Sequence, residues 1–80
     1  MSELRTRREL DVTGKLCPWP VMLTMKELGQ MAAGEVLEVL TDNPPSVVNI
    51  PEAAKDEGHE VLGTETAEPG VHRIILKVKE

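Results

Sequence analysis

Hydrophobic positions along this chain change their period several times, and each change marks a new element. Leu10 and Val12 alternate with Glu9, Asp11 and Thr13, the two-residue period of a short, half-buried strand. Gly14 and Lys15 supply a turn. From Val21 the period lengthens. Val21, Met25, Leu28 and Ala32 recur at intervals of three and four, flanked by Met22 and Gly29, which describes one face of a helix that Gly34 stops. The segment "EVLEVLT", residues 35–41, is β-branched and aliphatic, with Leu37 and Val39 on one side, as a strand inside a sheet should be. "DNPP" breaks that pattern. Ser46 is the predicted N-cap of a second helix using Val47, Ile50 and Ala54, ended by Gly58 and expected to bend or be delayed at Pro51. Residues 60–66 and 71–79 form the closing hairpin through "AEPG", with Ile74, Leu76 and Val78 inward, Arg73, Lys77 and Lys79 outward, and Ile75 the exception.

The predicted order is βαβαββ, an α+β two-layer sandwich: a four-stranded mixed sheet with both helices on one face and a right-handed crossover in its first unit. Residues 1–8 read as a charged extension free to fray, and residues 9–80 as a single domain. Eighty residues leave no length for a second core. With Trp19 the single aromatic residue, that core must be aliphatic.

A net charge of −5 removes the domain-wide basic footprint of a nucleic-acid-binding protein, so direct nucleic-acid binding is not expected. The local cations Arg5, Arg7, Arg8, Arg73, Lys77 and Lys79 read first as solvated surface, or else as a patch for an acidic protein. No run of residues is apolar enough to span a bilayer, and the first ten lack the apolar stretch of a signal peptide. One cysteine makes no internal disulfide. A cytoplasmic protein is expected, with no membrane contact.

That cysteine, Cys17, falls at the junction of the first strand and the first helix, bracketed by Pro18 and Pro20. Either Cys17 caps the helix with Pro18 as its first residue, or Trp19 is the cap and Pro20 the first residue. In both registers the thiol lies within a turn of a helix N-terminus, where the partial positive charge favours the thiolate, the nucleophilic form. Lys15 adds a nearby cation. A lone cysteine is more often a small buried hydrophobe; here it precedes the apolar stripe and stands between rigid prolines, which argues for exposure. Trp19 and Leu23 point away from Val21, Met25 and Leu28 at 100° per residue and make a candidate partner-binding patch. His59 and His72 with one cysteine lack metal-ligand spacing and read as exposed strand residues. No metal and no cofactor is expected.

The stretch "LDVTGKLCPWPVM" resembles the Leu-Asp-x-x-Gly-x-x-Cys-Pro-x-Pro signature of the small sulfur-carrier proteins of the TusA/SirA family. "GEVLEVLTDNPPSVVNIPEAAKDEGHEV" is similar to that family's strand, Asp-x-Pro turn at Asp42 and Ile-Pro helix, so the likeness runs from Glu9 to Lys79. The resemblance implies that Cys17 takes a sulfane sulfur from a cysteine desulfurase or a rhodanese-like donor. It then holds that sulfur as a persulfide and passes it to a downstream acceptor protein, in tRNA thiolation or other sulfur traffic. It also implies that Asp11 and Gly14 shape the approach to the loop, that Pro18 and Pro20 start the helix, and that the last strand lies between the second and third. Such a protein is a carrier more than a self-contained turnover enzyme. The alternative is a protein- or RNA-binding module of the same sandwich, as in the C-terminal domain of translation initiation factor 3, which fold analogy supports only weakly.

Overall fold

A computed structural model describes residues 7–16 and 19–79. Six elements follow one another: β1 (Arg7–Asp11), α1 (Trp19–Gln30), β2 (Val36–Thr41), α2 (Pro44–Asp56), β3 (Glu60–Glu68) and β4 (Val71–Lys77). The sheet runs β1-β2-β4-β3, with β4 inserted between β2 and β3. β1 pairs in parallel with β2, placing Leu10 opposite Val39. β2 and β4 are antiparallel, with Leu37 opposite Leu76 and Val39 opposite Ile74. The result is the four-stranded mixed sheet and two helices that the hydrophobic periods predict.

One face of the sheet makes the core. Leu37 and Val39 of β2, Ile74 and Leu76 of β4, and Val12 just past β1 are fully buried against Leu28 of α1 and Ile50 and Ala54 of α2. Removing an aliphatic side chain of this size from water contributes roughly 1.5–3 kcal/mol. Because no ring fills the centre, stability rests on many such methyl contacts. β2 shows the period most cleanly, alternating half-buried and buried from Val36 to Thr41.

Several details differ from the sequence reading. β1 begins at Arg7, so Arg7 and Arg8 belong to the strand and not to an extension. Arg8 lies on the helix-facing side and bonds Glu27 of α1, which joins the strand to the helix. The buried stripe of α1 is Pro20, Thr24 and Leu28, continued by Met31; Val21 and Met25 sit at its margin, and Ala32 is exposed. α2 starts earlier than predicted. Its N-cap is Asn43, whose side chain accepts from the Ser46 N–H at 3.2 Å and the Ser46 hydroxyl at 3.1 Å. Pro44 and Pro45 fill the first two helical positions, where an N–H would have no helical partner, so the two prolines that end the strand pattern begin this helix. The helix also continues through Pro51 to Asp56 and closes with bonds from Gly58 N–H to Lys55 C=O and His59 N–H to Ala54 C=O, with Gly58 at φ +92°. The hairpin is tighter than "AEPG": β3 extends to Glu68, leaving Pro69 and Gly70, the latter at φ +82°, as the turn.

Candidate functional site at the strand–helix loop

β1 and β2 are parallel neighbours, so the loops that leave them emerge at the same end of the sheet. One leads through residues 12–18 into α1; the other leads through Asp42 and Asn43 into α2. This shared exit explains why acids 31 residues apart in sequence, Asp11 and Asp42, act on one loop.

The loop is built by hydrogen bonds. Val12 N–H donates to Leu40 C=O at 2.9 Å, extending the ladder one residue past β1. Lys15 N–H then reaches back to Val12 C=O at 3.3 Å, closing a turn over Thr13 and Gly14. Gly14 takes φ +81°, a left-handed conformation that disfavours any side chain. Asp11 Oδ1 accepts from the Thr13 N–H at 2.9 Å and the Thr13 hydroxyl at 2.6 Å. Asp42 Oδ1 accepts from the Gly14 N–H at 3.0 Å across the two loops. The Thr13 hydroxyl first, then its N–H, hold the Asp11 carboxyl below the usual carboxylate range, and Lys15 adds a smaller push in the same direction. Both acids are therefore occupied with shaping the backbone.

Beyond the turn, Trp19 N–H donates to Leu16 C=O at 2.9 Å, which ties together the chain on either side of residues 17 and 18. Cys17 and Pro18 themselves lie outside the described residues. α1 begins at Trp19, one residue before the register that makes Trp19 its cap, and Pro20 is buried in the first turn, where proline's missing N–H costs little.

Trp19 is 56% exposed. Leu23 is not its equal: it is half-buried and packs against the core cluster. The expectation that both point away from the core therefore needs correcting, since the helix sits rotated so that Thr24, not Val21, faces inward. The outward apolar groups are Leu16, Trp19 and Met22, with exposures of 71%, 56% and 52%. The sequence reading leaves Leu16 out and sets Met22 beside the buried stripe, although Met22 stands one helical turn beyond Trp19. Gly14, Lys15, Leu16, Trp19 and Leu23 together line an open groove beside the loop.

The histidines are elsewhere. His59 is half-buried just before β3, its Nδ1 accepting from the Lys79 N–H at 3.1 Å. His72 lies in β4 opposite Thr41 and Thr66, also half-buried. A second hollow, lined by Met25, Leu28, Met31, His59 and Val78, lies at the opposite end of the sheet from the loop.

Comparison with known proteins places this arrangement. A family model described as "Sulfurtransferase TusA" matches residues 8–78. A Thermotoga maritima protein named "Putative sulfur carrier protein" is 43% identical over 79 residues, covering 99% of this chain and 100% of its own. The Escherichia coli protein of the same name, with the suffix YedF, is 38% identical over 68 residues, covering 85% of this chain and 88% of its own. Among solved structures, a SirA-like protein from Desulfitobacterium hafniense superposes with a TM-score of 0.80 at 30% identity, covering 90% of this chain and 97% of that one. With the match running from β1 to just past β4, the chain belongs to the TusA sulfurtransferase family.

Proposed function

We propose that this protein is a sulfur carrier in which Cys17 takes up a sulfane sulfur as a persulfide and relays it to another protein. The observation that carries the reading is the loop on either side of that residue. Its backbone is fixed by Asp11, Asp42 and the Trp19–Leu16 bond, and its flanking side chains, Leu16 and Trp19, face solvent. Family membership and the names of the curated relatives support it.

The chemistry asks little of the chain. The Cys17 thiolate attacks the outer sulfur of a donor's persulfide; a new S–S bond forms at Cys17, the donor's S–S bond breaks, and the donor cysteine leaves as its thiolate. The acceptor's thiolate then attacks the outer sulfur on Cys17 in the same manner, and Cys17 departs as the thiolate. No net oxidation occurs in either step. What the carrier must supply is an accessible, ionised sulfur. A position two residues before a helix N-terminus and near Lys15 favours the anion of both the thiol and the persulfide. The donor is a cysteine desulfurase or a rhodanese-like protein, the acceptor a cysteine-bearing protein that serves tRNA thiolation or other sulfur traffic. With a single cysteine, no second thiol of the chain can discharge the persulfide as an internal disulfide.

Loading and release test this reading. The chain is loaded with one sulfur from inorganic polysulfide, freed of the donor and mixed with reduced glutathione. It should return to its thiol mass as glutathione persulfide appears in equal amount, while Cys17→Ser takes up and releases nothing. A mixed disulfide formed with loss of hydrogen sulfide would contradict the relay, because the acceptor would then have attacked the inner sulfur.

A further inference from the structure

The hollow at the end of the sheet away from the loop has no part in the relay chemistry. It is a partly open space of about 360 Å³, within the range of small-molecule pockets. Met25, Leu28, Met31 and Val78 make its apolar wall. Gly29, in the last turn of α1, lines it as well. Glycine is a poor helix former, and neither a positive φ nor crowding requires it here: a Cβ on Gly29 would meet nothing within 4 Å. The missing side chain leaves room in the hollow.

Glu57, His59 and Lys79 form the rim. Lys79, though exposed, is held at three points. Its N–H donates to His59 Nδ1 at 3.1 Å, and its Nζ donates to the Glu57 C=O at 2.9 Å. Between them its stem passes over Gly58, where a Cβ would come within 3.2 Å of the lysine Cδ. With Nδ1 accepting, the proton of the neutral imidazole sits on Nε2, so His59 presents a donor. A metal on Nε2 would need that proton on Nδ1, where it would face the Lys79 N–H. The carbonyls that end α2 are already taken: Glu57 N–H bonds the Ala53 and Ala54 C=O, His59 N–H the Ala54 C=O and Gly58 N–H the Lys55 C=O. What the rim offers a ligand is therefore donors, the Lys79 ammonium and the His59 Nε2–H, above an apolar wall.

We propose that this hollow binds a small monocarboxylate with an aliphatic tail, its carboxylate on Lys79 and His59 and its tail along Met25, Met31 and Val78 beside Gly29. Methionine side chains adapt to a flexible tail. A lysine fixed before binding loses little freedom on meeting an anion. The Glu57 carboxylate at the same rim disfavours a dianion such as phosphate, which it would repel more strongly than a single charge. The site is separate from the sulfur loop and does not depend on the carrier reading.

Methionine-methyl NMR of the full chain titrated with octanoate tests this. The methyls of Met25 and Met31 should shift saturably, with Kd on the order of a millimolar or tighter for so small a ligand. The methyl of Met22, exposed near the loop end of α1, should stay in place. Octylamine, with the same tail and the opposite charge, should bind more weakly than octanoate. Lys79→Gln, which keeps a donor for the Glu57 C=O, should raise Kd about threefold or more, the loss of one exposed charge partner. Gly29→Leu, a favourable residue in a helix, should abolish the shifts by filling the hollow. No saturable shift at Met25 and Met31, an equal shift at Met22, octylamine binding as tightly as octanoate, or wild-type affinity in either variant would overturn the site.

Discussion

At the scale of single residues, Asp11 and Thr13 offer a measurable check on how the loop is held. The Thr13 hydroxyl is the main cause of the lowered Asp11 pKa, and the Thr13 N–H the next. A folded value below the unfolded one means that these bonds contribute stability above the unfolded value, throughout the neutral range. The contribution is lost only as pH falls through the lowered folded value. Following the Asp11 carboxyl carbon by NMR during acid titration should show ionisation persisting below the ordinary aspartate range, and Thr13→Ala should move the midpoint most of the way back up. An unchanged midpoint in Thr13→Ala would show that the hydroxyl does not hold the carboxylate. This pair was only partly legible in the sequence. Asp11 and Gly14 stood out only through the resemblance to the family's signature, and the bond partner of Asp11 depends on a turn whose closure no spacing reveals. Leu23 was misplaced for a related reason. Reading Val21 as the centre of the buried stripe ignores that Thr24 can be fully buried, and its burial turns the helix so that Leu23 meets the core and Met22 faces out.

Helices and strands were read well where hydrophobic period alone decides and less well at their ends. β2 and β4 fall where alternation predicts them, because a one-residue slip would put their whole apolar set into water. Ends depend on caps, and the cap of α2 shows how a plausible choice fails: Ser46 has the right chemistry, yet Asn43 stands before two prolines that are well suited to the first helical positions. The expected consequence is specific. Asn43→Ala should cost about 1 kcal/mol of unfolding free energy in urea, since it removes the side-chain acceptor shared by the Ser46 N–H and hydroxyl and leaves the N–H only the Asn43 C=O at 3.0 Å, whereas Asn43→Asp should be close to neutral. A loss of comparable size in Asn43→Asp would show that this side chain acts other than by accepting those bonds. The cap matters to the loop as well, because Asp42, next to it, holds the Gly14 N–H.

For the molecule as a whole, parallel pairing of β1 with β2 sets the arrangement at the loop. It brings the exits of two strands to one end of the sheet, where an acid from the second loop fixes the backbone of the first and α1 begins beside an exposed Trp19. The shared exit followed from the element order once the sandwich was predicted; the bond from the Gly14 N–H to Asp42 and the exposure of Trp19 did not. The cations at the two chain ends read first as solvated surface, yet Arg8 and Arg73 carry ion pairs, which depend on which elements lie side by side: Arg73 meets Glu38 only because β4 is inserted next to β2. The account stands or falls on one atom acting as a sulfur acceptor from a protein donor. Intact mass after incubation with a cysteine desulfurase and L-cysteine measures this directly. Wild type should gain the mass of one sulfur, removable by a reducing thiol, and Cys17→Ser should gain none. An unmodified wild type with an active desulfurase, or an equal gain in Cys17→Ser, would contradict it.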